Sequence, residues 1–211
     1  MRIATVLILG ALVLPFASPT AEAQSFVWAK QFGLTGTCTA APESIAVDSA
    51  GSGYVTGLFC QTADFDPGPG TFLLAAGAQD AYVLKLDSAG SFVWARALGS
   101  GTGNDAGHSI ALDAAGNVYV AGHFQSTADF DPGPGTFPLT SAGSSDVFVT
   151  KLDPSGNLVW AKQLGGTTGD SALGIAVDPG GGVYATGSFT GTADFDPSPN
   201  MFNITSAGFE D

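Results

Sequence analysis

The chain repeats itself, and that constrains its fold more than any single motif. The segment SFVWAKQFG at 25–33 returns as SFVWARALG at 91–99 and as NLVWAKQLG at 157–165. Trp28, Trp94 and Trp160 are therefore spaced 66 residues apart. SIAVD at 44–48 returns as SIALD at 109–113 and GIAVD at 174–178. TADFDPGPG at 62–70 returns at 127–135 and as TADFDPSPN at 192–200. DAYVLKLDSAG at 80–90 returns as DVFVTKLDPSG at 146–156, and the third copy reaches Asp211, which aligns with Asp80 and Asp146.

Each unit reads as four short strands. SIAVD, GYVTGLF, AYVLKLD and FVWAKQ, with their copies, are rich in Val, Ile, Tyr, Phe and Trp, which suit a pleated surface. No window carries a helical apolar stripe. DSAGSG, DAAGN and DPGGG after the first strand, and DSAG and DPSG after the third, are turns. In such turns Asp bonds the turn backbone and Gly accepts positive φ. Four antiparallel strands, repeated, predict an all-β fold of β-propeller blades. The alternative, a β-solenoid, has coils much shorter than 66 residues. The repeat region covers 24–211, with blades at about 44–98 and 109–164 and a partial one at 173–211. Its 188 residues make about 2.8 units of 66. A fourth strand at 25–32 precedes the first blade. Closed propellers take at least four blades, so the array is expected to be incomplete and open. A fragment of a longer protein, an open array, and closure by oligomerisation all fit that count.

The stretch xIAVDxxGNVYVxG followed by DxFVxKLDxxGNxxWAK resembles the bacterial SBBP (β-propeller) repeat family. The resemblance covers nearly all of 24–211. It implies an extracytoplasmic, repeat-rich surface protein and brings no agreed catalytic residues. The DFDPGPG insertion makes each unit longer than the simplest form of that repeat.

Residues 1–23 read as an export signal: Arg2, an apolar stretch over 4–17, then Ala21-Glu22-Ala23 with cleavage after Ala23. The stretch is short for a membrane span, and no other apolar run approaches that length, so no membrane insertion is expected after cleavage. The expected location is secreted or extracytoplasmic, at the cell surface or in the periplasm. Six Lys+Arg against 19 Asp+Glu give a net charge of −13, which excludes nucleic-acid binding.

Antiparallel order puts the tight 1–2 and 3–4 turns on one face and the long 2–3 and 4–1 connections on the other. Binding residues favour long loops on a rigid scaffold, so the long-loop face is the expected working face. There the Asp-Phe-Asp repeats place Asp64 and Asp66, Asp129 and Asp131, and Asp194 and Asp196 two residues apart. Such pairs point to one side of an extended segment and offer Ca2+ several oxygens. The competing reading makes each Asp a turn former before a rigid Pro-Gly corner, with Phe65, Phe130 and Phe195 plugging the blade. The three Trp are expected between blades. Cys38 and Cys60 fall at the same end of the first blade, and export favours a disulfide between them. By loop entropy it contributes roughly 3 kcal/mol. His108 and His123 occur only in the second copy and are placed to approach each other on the long-loop face, as surface histidines, a metal pair or an acid–base pair.

Nearly uniform copies argue against catalysis, which needs an asymmetric constellation. The expectation is a secreted, non-enzymatic protein for binding, adhesion or structure at a bacterial cell surface. Its partner is an unknown protein or glycan on the long-loop face. A Ca2+-stabilised structural array, and a lyase or glycosidase on a propeller scaffold, are the alternatives.

Overall fold

The computed structural model describes residues 27–33, 40–99, 101–208 and 211, together with the backbone of a two-residue strand, β1 (Val6–Leu7). β1 pairs antiparallel with β2 (Lys30–Gln31). The rest of the expected export signal, its cleavage site included, lies outside the described residues.

The first copy runs β3 (Ala41–Val47), β4 (Gly53–Phe59), the short pair β5 (Thr62–Asp64) and β6 (Leu73–Ala75), then β7 (Asp80–Leu86) and β8 (Phe92–Leu98). The sheet order is β3-β4-β7-β8, all antiparallel: one propeller blade. The second copy repeats it with β9 (Ala106–Leu112), β10 (Val118–Phe124), β11 (Thr127–Asp129), β12 (Pro138–Thr140), β13 (Asp146–Leu152) and β14 (Leu158–Gly166). In the third, β15 (Ser171–Val177) pairs β16 (Val183–Ser188), and β17 (Thr192–Asp194) pairs β18 (Asn203–Thr205). The sheets are antiparallel throughout and the array is open.

Three details differ from the sequence reading. First strands begin at Ala41, Ala106 and Ser171, about three residues early, because a bulge lets each continue past its partner's register shift. Of the expected fourth strand at 25–32, residues 27–32 are described, and only Lys30–Gln31 among them is strand, for no third strand lies beside it among the described residues. The DFDPGPG insertion is not a plain loop. It is a hairpin, β5–β6 and its copies, and it reaches back to the preceding unit. Asp64 bridges Gly33, Asp129 bridges Gly99, and β17 pairs Gly165 and Gly166 of β14.

Burial follows position in the blade. β4, β7, β10 and β13 are covered on both faces, while β3 alternates. One apolar core joins Tyr54, Val83, Trp94 and Leu98 of the first copy to Val120, Phe124, Phe130 and Phe148 of the second. Polar staples cross the same seam. Trp94 Nε1 donates to the Pro154 carbonyl at 3.2 Å, and Arg96 donates to Gly156 and Ser155 carbonyls at 3.0 and 2.9 Å. Trp28 Nε1 donates likewise to Ser88, at 3.0 Å. Tyr184 in the third copy is 62% exposed where Tyr54 and Tyr119 are 1% and 2%, because nothing described packs over it.

Candidate functional site

The two ends of the blades use aspartate differently. At the tight-turn end Asp48, Asp87, Asp113, Asp153 and Asp178 each accept backbone N–H groups two and four residues on. Tyr54, Tyr119 and Tyr184 hydroxyls donate to the second oxygens of Asp48, Asp113 and Asp178. Burial alone would raise Asp113, but bonds from Asn117, Tyr119 and Ala115 bring its pKa down to about 2. These carboxylates are spent on closing turns.

At the long-loop end the Asp-Phe-Asp repeats adopt one geometry three times. Asp64 Oδ1 accepts the N–H groups of Asp66 and Phe72 at 3.0 and 2.9 Å. Asp129 does the same for Asp131 and Phe137, and Asp194 for Asp196 and Phe202. Asp66, Asp131 and Asp196 each accept the N–H two residues on, at Gly68, Gly133 and Ser198. Phe65 and Phe130 are fully buried, and Phe195 is half-buried against Phe189. Among the described residues no three His, Cys, Asp or Glu side chains form a group that could hold a metal ion.

Each hairpin also walls a groove against the preceding blade. The first groove, 290 Å³, is lined by Phe72, Leu74, Asp80, Arg96, Asp129 and Asp131. The second, 380 Å³, is lined by the counterparts Phe137, Leu139, Asp146, Lys162, Asp194 and Asp196. An apolar wall and several carboxylates thus recur at successive seams.

Behind each groove two buried carboxylates converge on a glycine. A Cβ on Gly99 would stand 2.6 Å from Asp80 Oδ1 and 2.8 Å from Asp105 Oδ2. A Cβ on Gly165 would stand 2.8 Å from both Asp146 Cγ and Asp170 Oδ2. Asp146 Oδ2 accepts from Gln163 Nε2 at 2.6 Å and from Ala142 N at 3.1 Å, while its Oδ1 is buried without a bond. Burial first, and then the facing Asp170 carboxylate, hold Asp146 above the usual carboxylate range against those two donors. A raised pKa means the folded chain holds the proton longer than the unfolded one. Stability therefore falls as pH rises through the Asp146 titration, above about 3.9. Asp113 acts in the opposite sense below that value. The variant Asp146→Asn is expected to remove the high-pH loss. The difference between its melting temperature and that of the wild type, measured from pH 4 to 7, should grow with pH. A constant difference would show that Asp146 carries no such strain.

One polar constellation is not repeated. Glu43 of β3, His108 of β9 and His123 of β10 form a line across the first seam. His108 Nδ1 lies 2.7 Å from Glu43 Oε2, and His108 Nε2 lies 2.9 Å from His123 Nδ1. Burial, then His108, hold His123 below the usual histidine range, against the opposite pull of Glu43. Burial, then Glu43, push the Tyr82 phenol up; its hydroxyl is buried without a bond. The approach of the two histidines was legible in the sequence. Glu43 was missed because it comes from the neighbouring copy. Cys60 follows β4, is 8% exposed and is not a free thiol, whereas Cys38 lies outside the described residues.

The chain is 35% identical over 126 residues to the regulatory protein FlaEY of Caulobacter vibrioides, covering 58% of this chain and 13% of that one. It is 28% identical over 137 residues to an uncharacterized WD repeat-containing protein of Acanthamoeba polyphaga mimivirus, covering 58% and 9%. The matched regions span about a tenth of the length of these relatives. A solved structure of a protein of unknown function from Bacteroides caccae shares 13% identity at a TM-score of 0.31, over 87% of this chain and 66% of that one. Residues 93–123, from the fourth strand of the first blade to the second strand of the next, match the SBBP family of β-propeller repeats.

Proposed function

We propose that this chain is an exported, non-catalytic β-propeller repeat protein that binds a protein or glycan at the bacterial cell surface through its long-loop face. The observation that carries the reading is the recurrence of one groove at two seams. Each groove offers Phe and Leu, a buried Asp and the hairpin carboxylates. Equivalent sites side by side suit an extended or repetitive ligand, whose affinity grows by avidity rather than by any single strong contact. Catalysis would call for one asymmetric centre instead. The opposite face supports the reading too, since its carboxylates are taken up in turns. The acidic surface disfavours nucleic acid, and after removal of residues 1–23 no membrane insertion is called for. Export would also allow a Cys38–Cys60 bridge, consistent with the absence of a free thiol at Cys60.

A glycan and surface-protein array probed with the full chain tests the reading. Binding is expected, with a loss of about tenfold or more in Asp131→Lys/Asp196→Lys, from charge reversal at two linked grooves. Retained binding in that variant, or no binding by the wild type, sinks it. N-terminal sequencing of the exported product should begin at Gln24.

A further inference from the structure

We propose that His108 and His123 form a two-nitrogen site for a divalent transition-metal ion, with Glu43 as the residue that orients His108. His108 Nε2 and His123 Nδ1 stand 2.9 Å apart, and their rings face each other at 5.0 Å with 27° between the planes. Two imidazole nitrogens bound to one tetrahedral ion at about 2.0–2.1 Å lie roughly 3.3 Å from each other. The pair therefore needs to part by only a few tenths of an ångström to admit the ion.

Glu43 fits the second requirement of such a site. When His108 donates its Nδ1–H to Glu43, the lone pair on Nε2 is left pointing away from the carboxylate, toward His123. A carboxylate behind a ligating histidine fixes its tautomer and ring orientation and raises its basicity. Neutral imidazole is the form that binds metal, and a tautomer shift on His123 frees its Nδ1 without a net proton change. Imidazole nitrogens favour Zn2+, Cu2+ or Ni2+, whereas Ca2+ and Mg2+ prefer oxygen.

The site is built from three strands of two blades, so an ion there would also clamp the first seam. His108 and Glu43 side chains keep 16% and 33% of their surface exposed. With two protein nitrogens, further coordination positions stay available to water or to an oxygen of a bound ligand. No other copy can do this: the counterparts of His108 are Glu43 and Leu173, and those of His123 are Leu58 and Ser188.

Calorimetric titration of the full chain with Zn2+ alone, and separately with Ca2+, tests the site. One saturable Zn2+ is expected, abolished in His108→Ala and in His123→Ala and weakened about 10–100-fold in Glu43→Gln. Ca2+ uptake, if any, should be the same in all four proteins. Circular dichroism checks that each variant is folded. A second readout needs no variant: on adding Zn2+, the ¹⁵N signals of His108 Nε2 and His123 Nδ1 should shift together. No Zn2+ uptake by the wild type, equal uptake by His108→Ala/His123→Ala, or unmoved histidine signals would overturn the proposal. Full affinity in Glu43→Gln would remove Glu43 from it.

Discussion

Phe130→Ala is expected to cost about 3–5 kcal/mol, the range for emptying a fully buried aromatic site. For a chain of this size that lowers the melting temperature by on the order of 10 °C. Phe130 is fully buried, with Phe124 edge-on at 5.4 Å and Phe148 tilted at 4.9 Å. Its neighbours cannot easily collapse into the space. Phe124 and Phe148 are held by adjacent paired strands, and the residue before Phe130 is tied to the preceding blade by the backbone bonds between Asp129 and Gly99, 2.9 and 3.0 Å long. The loss should therefore reach beyond one cavity, loosening the hairpin that walls the groove and joins the blades. Phe195→Ala is the internal comparison. Phe195 holds the same position in the third copy but is half-buried and, among the described residues, has one aromatic neighbour, Phe189 at 5.0 Å. It should cost less than half as much. Urea unfolding of both variants decides; equal losses would mean that the hairpin phenylalanines do not act as plugs.

Much of this was legible because repetition averages out local ambiguity. A single VYVAGHF is only a strand candidate, but three copies in one order with Asp-x-x-Gly turns define a blade. The turn chemistry was readable for the same reason: Asp followed three residues on by Gly leaves one economical backbone solution, and Asp113 with Gly116 adopts it. What escaped the sequence depends on contacts between copies. Asp80 and Asp146 are visible as aligned residues, yet their facing partners Asp105 and Asp170 lie in the next connection, where the first copy has Ala40. Glu43 meets His108 across a seam, at positions that correspond in the repeat and so look alternative rather than adjacent. The Asp-Phe-Asp segment showed its turn potential. It did not show that its backbone pairs with the preceding unit, since three-residue strands give no periodicity to read.

Gly122→Ala is expected to destabilise by about 3 kcal/mol or more, the upper end for forced overpacking, although it adds one methyl group. Each second strand carries a glycine at the same place: Gly57, Gly122 and Gly187. None has positive φ, so their freedom to adopt left-handed backbone is not the reason. The reason is close approach. The bulge beside Ala121 and Gly122 turns the first strand's backbone across the second. A Cβ on Gly122 would stand 1.8 Å from the Ala106 carbonyl oxygen and 3.0 Å from a Phe148 ring carbon. On Gly57 and Gly187 it would meet the Ala41 and Ser171 oxygens at 1.9 and 2.0 Å. Side chains relieve such contacts by changing rotamer, but a strand carbonyl moves only if the ladder moves. Shifting β9 would also displace His108 and the Asp105 that precedes it, so Gly122→Ala should disturb both the histidine line and the seam. Gly181→Ala separates this from an ordinary glycine effect. Gly181 has φ +86° in an exposed turn and nothing within 4 Å of its added Cβ. It should cost only the roughly 1–2 kcal/mol of left-handed backbone. Should Gly122→Ala prove no worse than Gly181→Ala in urea unfolding, the first strand is free to shift, and the bulge does not fix the position of the long-loop face.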